Sequence, residues 1–245
     1  MPAHELTPPD GAQGSPDEAL DLLRSGRVEV LGRMPWSSNA TLLVEVRRND
    51  ECLRAVYKPR RGERPLWDFP PGLDRREVAA FELSSWLGWD IIPETALRDD
   101  LPFGVGSLQR FVPFDVESHY FTLVEDELHH GILRIICTFD LVANSADRKG
   151  GHCIVGDDHR IYAVDNGLTF HHEPKLRTVI WDFGGQPIPG ELLADLGRLA
   201  DDGPDLDGLL DAAERAALRR RAAAVVTAGV FPIDETGRRY PWPLV

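Results

Sequence analysis

The chain has 245 residues, 42% of them hydrophobic and 27% charged, which is the balance of a soluble globular protein with a sizeable core. Its net charge of −13 disfavours nucleic acid and anionic lipid as partners, since both repel an acidic surface unless a local basic patch outweighs the total. Its three cysteines lack a Cys-x-x-Cys spacing, and we find neither a signal peptide nor an apolar run of roughly 18–20 residues. We expect a cytoplasmic protein without a transmembrane segment.

In the first half of the chain, residues 1–16 are rich in Pro, Gly, Asp and Ser, which predicts a disordered tail before a short helix at about 17–25. An amphipathic helix is predicted at 75–88. Strand patterns occupy five segments around it: 28–31, 41–46, 53–58, 92–97 and 106–112. The second half is mainly helical, and a β-hairpin interrupts its helices at about 121–129, 131–143, 189–200 and 206–228.

This order of elements resembles the small and large lobes of a protein kinase. We therefore expect an α+β, two-lobed, protein-kinase-like fold. The N-lobe would span residues 17–112 and hold an antiparallel sheet with one helix, which grip the phosphates of ATP. The C-lobe would span residues 113–245, with the catalytic hairpin among its helices.

Two acidic residues follow apolar runs on either side of the predicted hairpin. Asp147 precedes Arg148, and Asp165 precedes Asn-Gly eighteen positions later. A hairpin of this length brings its ends together, so we expect both carboxylates on one rim. Paired carboxylates serve metal-assisted phosphoryl transfer, in which one holds Mg²⁺ and the other accepts a hydroxyl proton. Each motif alone is also a common turn or surface pair, so the prediction depends on their joint spacing.

A lysine, Lys58, ends the third predicted strand, where a charge is costly unless it faces a cleft or a partner. Only three of the 27 basic residues are lysines, which makes each of them worth notice. In a kinase site this lysine contacts phosphates and pairs with a glutamate of the next helix. Glu77 is the candidate, with Glu82 as the alternative on the same helix. Glu77 also fits a capping box that starts at Asp74, in which it would serve only the helix start.

Ser37 and Ser38 lie between the first two strands, where backbone N–H groups and hydroxyls suit a phosphate. The segment is not Gly-rich, so this signal is weak. No G-x-x-x-x-G-K-[ST] or G-x-G-x-x-G motif occurs, which argues against a P-loop NTPase or a dinucleotide fold.

Several of these motifs occur in the order found in phosphatidylinositol 3-/4-kinase-like proteins, and Asp165–Phe170 looks most like type II phosphatidylinositol 4-kinases. As a whole the chain is similar to an uncharacterised actinobacterial family described as distantly related to those kinases. The resemblance covers roughly residues 28–230 and depends on five segments: Tyr57–Pro59, Glu77–Phe81, Leu108–Val112, Asn144–Arg148 and Val164–Phe170.

The resemblance implies an ATP-dependent kinase that uses Mg²⁺ or Mn²⁺. Lys58 would contact the phosphates, Asp147 with Arg148 would form the catalytic pair, and Asp165 would bind metal. A hinge beside adenine would consist of Gln109, Arg110, Phe111 and Val112.

One position departs from the kinase pattern, because His152 stands where a metal-binding Asn is expected. Imidazole suits Mn²⁺ or Zn²⁺ better than Mg²⁺. Either His152 binds a different metal, or the site uses one metal, or the protein binds nucleotide without transferring phosphate. His152 is equally well explained as a loop residue that hydrogen-bonds in a turn.

The acceptor stays open between a small molecule, a lipid headgroup and a protein. Basic residues after Lys58 and in segment 168–177 are compatible with a phosphorylated substrate or with a solvated surface. Three functions remain: an active phosphotransferase, a nucleotide-binding pseudokinase, and a metal-binding protein that uses His152, His171, His172 and Asp165. The third leaves Lys58 and Glu77 without a role.

Overall fold

The computed structural model describes residues 15–34 and 40–245 of the chain. Helix α1 (Pro16–Ser25) begins with a capping box. The Ser15 hydroxyl accepts the backbone N–H of Glu18, and the Glu18 carboxylate accepts the backbone N–H of Ser15. A five-stranded antiparallel sheet follows in the order β1-β2-β3-β5-β4. Its strands are β1 (Arg27–Arg33), β2 (Leu42–Arg48), β3 (Glu51–Pro59), β4 (Thr95–Arg98) and β5 (Gly106–Arg110).

Strands β3 and β5 approach closely where the predicted site lysine lies. Lys58 is opposite Ser107, and Pro59 is opposite Gly106. A Cβ at Gly106 would lie 2.5 Å from the carbonyl oxygen of Lys58, so only glycine fits there. This packing holds the end of β3 beside the chain that leads to the second half of the fold.

The second half of the molecule is mainly helical, as expected. It contains α3 (Tyr120–Leu123), α4 (His130–Ala143), α5 (Gly190–Asp201) and α6 (Ala212–Ala228), with a two-stranded hairpin of β6 (Cys153–Val155) and β7 (Ile161–Ala163). The predicted helix at 121–129 stops at Leu123 and continues as a 3₁₀ turn, Glu127–His129. The helix predicted from 206 begins only at Ala212, because Asp211 caps it. The α+β, kinase-like architecture is confirmed, whereas the lobe boundary at residue 112 stays a prediction.

Helix α2 (Leu73–Trp86) connects the two halves. Its apolar residues, Ala79, Ala80 and Leu83, belong to the large core built around α4 and not to the small core of the five-stranded sheet. On its other side, Arg76 forms a buried ion pair with Glu214 of α6. Helix α2 also packs against β4 and β5, so it is held by both the sheet and the helical half.

Within residues 15–34 and 40–245, no helix combines the length and the apolar character needed to cross a membrane.

Replacing Arg76 by Met should lower the free energy of unfolding by about 3–5 kcal/mol, because Glu214 would keep a buried carboxylate without its cation. Urea denaturation measures the loss. Arg24→Met is the matched control, since the Arg24–Glu82 pair is exposed and 3.9 Å apart, and it should cost less than about 1 kcal/mol. Equal losses in both variants would contradict a tether between α2 and α6.

Candidate active site

The β6–β7 hairpin brings the two predicted aspartates to one cleft. Val164 donates its backbone N–H to the His152 carbonyl at 2.9 Å, which closes the hairpin between the two motifs. The Asp165 charge lies close enough to Asp147 to raise the pKa of that carboxyl. Asp165 has a φ of 58°, in the left-handed region, where a non-glycine residue is sparsely found outside turns and functional sites. The shared rim expected from the spacing is thus present in the structure.

Lys58 contacts both Glu77 and Asp165. Its ammonium donates to Glu77 and, at 2.7 Å, to Asp165 Oδ1. The other Glu77 oxygen accepts the Asn166 backbone N–H at 3.0 Å. Glu82 points elsewhere and pairs with Arg24 at the surface. Because α2 starts at Leu73 after an N-cap at Gly72, Glu77 lies beyond the first turn and does not close a capping box there.

The electrostatics of these three groups differ with their exposure. The side chain of Glu77 is 3% exposed, whereas that of Asp165 is 56% exposed. The ammonium of Lys58 holds the pKa of the Asp165 carboxyl well below its usual range. The two carboxylates in turn raise the pKa of Lys58, although burial opposes them. Lys58 is therefore charged, and Asp165 offers an ionised, accessible carboxylate to the cleft.

Asp147 lies beside a lysine that sequence reasoning did not assign to the site. Lys149 Nζ is 3.2 Å from Asp147 Oδ2. Burial is the main cause that raises the pKa of Asp147, and Lys149 opposes it. A more basic carboxylate beside a cation suits a group that must accept a proton. The scarcity of lysine in the chain is the sequence feature from which a site role for Lys149 could have been predicted.

His152 contacts Asp165, with Nε2 3.5 Å from Oδ2. Its Nδ1 accepts the Lys149 backbone N–H at 3.4 Å, which leaves the proton of the neutral ring on Nε2, facing the carboxylate. Burial is the main cause that lowers the pKa of His152 to about 4, so the ring is neutral at pH 7. In this arrangement His152 orients Asp165. A metal on Asp165 would replace that contact or take the imidazole as a ligand.

Arg148 occupies a different place from the one its pairing with Asp147 predicted. It is fully buried, and its guanidinium donates to both oxygens of Asp140, to the Val164 carbonyl and, at 2.6 Å, to the Asn166 side chain. These contacts join α4 to the loop that carries Asp165.

Asn144 braces the segment that follows the second aspartate. It ends α4 in a left-handed conformation with a φ of 56°. Its side chain donates to the carbonyls of His171 and Glu173 and accepts the backbone N–H of Lys175 at 2.9 Å. Sequence analysis did not assign Asp140 or Asn166 a site role, because their contacts join segments distant in the chain.

The predicted hinge lies at the end of β5. Val112 is buried in a small apolar cluster with Ile154 and Tyr162 of the hairpin. Gln109 is also buried and donates to Thr95, while Arg110 pairs with Glu94 and lies over the Tyr162 ring. The Phe111 backbone N–H donates to the Arg54 carbonyl at 2.9 Å. Val112 thus belongs to a buried apolar cluster that joins the end of β5 to the hairpin. Ser37 and Ser38 lie outside the described residues.

Protein Rv2133c of Mycobacterium tuberculosis is 39% identical to this chain over 266 aligned positions, which cover 93% of the chain and 95% of that protein. The chain belongs to the family of Rv2133c. No protein-family model matches it.

Solved structures of kinases share the fold of this Rv2133c relative. Hydra Fam20 with sugar superimposes with a TM-score of 0.57 at 14% identity, over 89% of each chain. The Golgi casein kinase with Mn/ADP bound gives a TM-score of 0.52 at 15% identity, over 94% of this chain and 80% of that one. At such identities the similarity shows the kinase-like fold alone.

Replacing Lys58 by Met should raise the pKa of Asp165 toward the ordinary value of about 3.9, because the cation that favours the ionised form is gone. Carboxyl ¹³C NMR titration measures the change, with Asp165→Asn identifying the signal. Lys149→Met removes a cation beside Asp147 instead and should move the Asp165 pKa less. An Asp165 pKa that responds equally to both variants would show that no specific Lys58–Asp165 contact exists in solution.

Proposed function

We propose that this protein is an ATP-dependent phosphotransferase. The observation that carries the proposal is the placement of Lys58, whose ammonium is shared by buried Glu77 and accessible Asp165, with Asp147 on the same rim. A cation held between two carboxylates beside a third suits the recognition of phosphates together with a divalent metal. The kinase-like fold supports this assignment.

In the proposed complex, the phosphates of ATP lie on Lys58, and adenine packs beside the hinge, Gln109–Val112. The buried cluster of Val112, Ile154 and Tyr162 holds this hinge against the β6–β7 hairpin. We assign phosphate contacts also to Ser37 and Ser38 from their place in the sequence.

The donor set fits Mg²⁺ or Mn²⁺ bound together with nucleotide. Among the described residues, no group of three or more His, Cys, Asp or Glu side chains is arranged to hold a metal alone. Mg²⁺ in kinase sites commonly takes one or two carboxylates and completes its shell with phosphate oxygens and water. Asp165 would hold the ion, with His152 as the second residue, and the bound ion would neutralise phosphate charge. A metal protein without nucleotide has no support from this geometry.

Asp147 is the proposed base for the acceptor hydroxyl. The hydroxyl oxygen bonds to the γ-phosphorus, the bond from that phosphorus to the β–γ bridging oxygen breaks, and ADP leaves. Asp147 takes the hydroxyl proton, for which its raised pKa is suited. Lys149 holds the carboxylate in place and limits the rise of its pKa.

A pseudokinase is the second candidate function, and His152 is the observation that favours it. The imidazole bonds Asp165 where an amide would offer an oxygen to Mg²⁺. Such a protein would bind ATP through Lys58 without turnover. The narrower resemblance to phosphatidylinositol 3-/4-kinases belongs to the phosphotransferase proposal and does not identify the acceptor.

The two aspartates provide the test of phosphotransfer. Asp165→Asn should greatly reduce the rise in melting temperature with ATP and Mg²⁺ or Mn²⁺, because the metal loses a charged ligand. Asp147→Asn should keep that rise and lower turnover of labelled ATP by about 10²–10⁴-fold. Asp157→Asn, in the exposed turn of the hairpin, is the control that should change neither. Wild-type ATP binding without turnover under both metals would favour the pseudokinase.

His152→Asn tests the metal assignment. The wild-type protein should prefer Mn²⁺ over Mg²⁺ in ATP binding, because imidazole is a softer ligand than an amide oxygen. The asparagine variant should shift this preference toward Mg²⁺, and His152→Ala should weaken metal-dependent ATP binding by about 10–100-fold. Isothermal titration with each metal measures both effects. If all three proteins show one metal preference, His152 only orients Asp165.

A further inference from the structure

A basic groove lies beside the proposed active site. It has a volume of about 860 Å³ and runs between the 65–70 loop, the segment after Asp165, helix α6 and the chain after α6. The cationic side chains that line it are Lys175, Arg177, Arg220, Arg221, Arg238 and Arg239.

The charge of this groove is opposite to that of the whole chain, which is −13. Among the described residues that line the groove, Asp68 alone has a carboxylate. Its Oδ2 atom is 4.0 Å from Nη2 of Arg177. The Nζ atom of Lys175 is 3.8 Å from Oε2 of Glu173, which does not line the groove. Glu214 also attracts Arg221 and Asp234 attracts Arg239, so the six cationic side chains face four carboxylates and an excess of positive charge remains. Such a cluster favours an anionic ligand.

Arg221 lies beneath the groove and shows the same imbalance. Its Nε donates to the Val142 carbonyl at 2.6 Å and its Nη1 to the His171 carbonyl, but its Nη2 is buried without a hydrogen-bond partner. Burial and then the charge of Arg220 lower the pKa of Arg221 to about 10. An anion in the groove would relieve this repulsion.

The groove reaches the catalytic loop. The backbone of Arg177 accepts from the Arg148 N–H at 3.1 Å and donates to the Ser145 carbonyl at 2.8 Å, so it flanks Asp147 on both sides. The Arg177 charge is close enough to lower the pKa of Asp147. Asn144 also lines the groove. The groove therefore borders the segment that carries the proposed base.

The size and rim of the groove favour a small molecule. Its volume of about 860 Å³ lies within the range of roughly 300–1,000 Å³ found for small-molecule sites. Trp67 stands at the rim with 97% of its surface exposed, and its flat ring suits stacking on the ring of a bound ligand.

From these observations we propose that the basic groove is the acceptor site, and that the acceptor is a small soluble alcohol that carries a phosphate group. This inference rests on the proposed phosphotransferase function. The phosphate binds Arg220 and its neighbours, and a hydroxyl of the same molecule reaches Asp147. The hydroxyl oxygen bonds to the γ-phosphorus of ATP, Asp147 accepts the proton and ADP leaves.

Binding of glucose 6-phosphate, used as a probe, tests the groove without ATP. We expect saturable binding that weakens with salt, and much weaker binding of glucose, which lacks the anion. Arg220→Ser should weaken probe binding by about tenfold or more. Arg219→Ser is the matched control, because its side chain is on the same helix, is exposed and lies outside the groove lining, and it should change affinity less than about twofold.

A second arm separates the groove from the nucleotide site. Lys58→Ala should lose ATP binding and keep probe binding. In a turnover assay with phosphorylated alcohols, Arg220→Ser should raise the KM for the acceptor and leave the KM for ATP unchanged. Equal effects of Arg219→Ser and Arg220→Ser, or competition between the probe and ATP, would overturn the groove assignment. Turnover only with anionic vesicles or acidic peptides would overturn the small-molecule acceptor. Probe binding in a protein that never binds ATP would overturn the phosphotransferase function and the acceptor role while leaving an anion site.

Discussion

The buried guanidinium of Arg148 is the group through which the helical half of the molecule holds the cleft together. It binds the Asp140 carboxylate of α4 and the Asn166 side chain, and the Asn166 backbone in turn donates to Glu77. Glu77 holds Lys58, which completes the chain of contacts at Asp165. A buried ion of this kind is tolerated only when all its donors are satisfied, and that requirement forces each partner into one position. The geometry of the site therefore depends on a fully buried residue.

The packing of α2 explains why Glu77 meets Lys58. The helix packs its alanines and Leu83 into the core of the helical half, and Arg76 ties it to α6 through Glu214. The same helix also packs against β4 and β5 of the sheet. As a result, the lysine of β3 meets a carboxylate that both halves of the protein hold in place.

The net charge of the chain and the local charge of the groove favour different kinds of partner. A total of −13 argues against nucleic acid and anionic membranes, as the sequence predicts. The groove beside Asp147 is nevertheless positive, because its arginines come from segments far apart in the chain. Such a combination disfavours large polyanions, and the excess positive charge of the groove is the basis for the small anionic acceptor proposed above.

The sequence by itself determined the order of elements and the two aspartates at the ends of one hairpin, because periodicity and turn length are local properties of the chain. It also singled out Lys58 through its place at the end of a strand. Only the tertiary structure decided between Glu77 and Glu82, since both lie on one helix and packing alone selects which face meets β3. It also placed Arg148 in the interior and Lys149 at Asp147, because burial and long-range pairing depend on segments that periodicity cannot bring together.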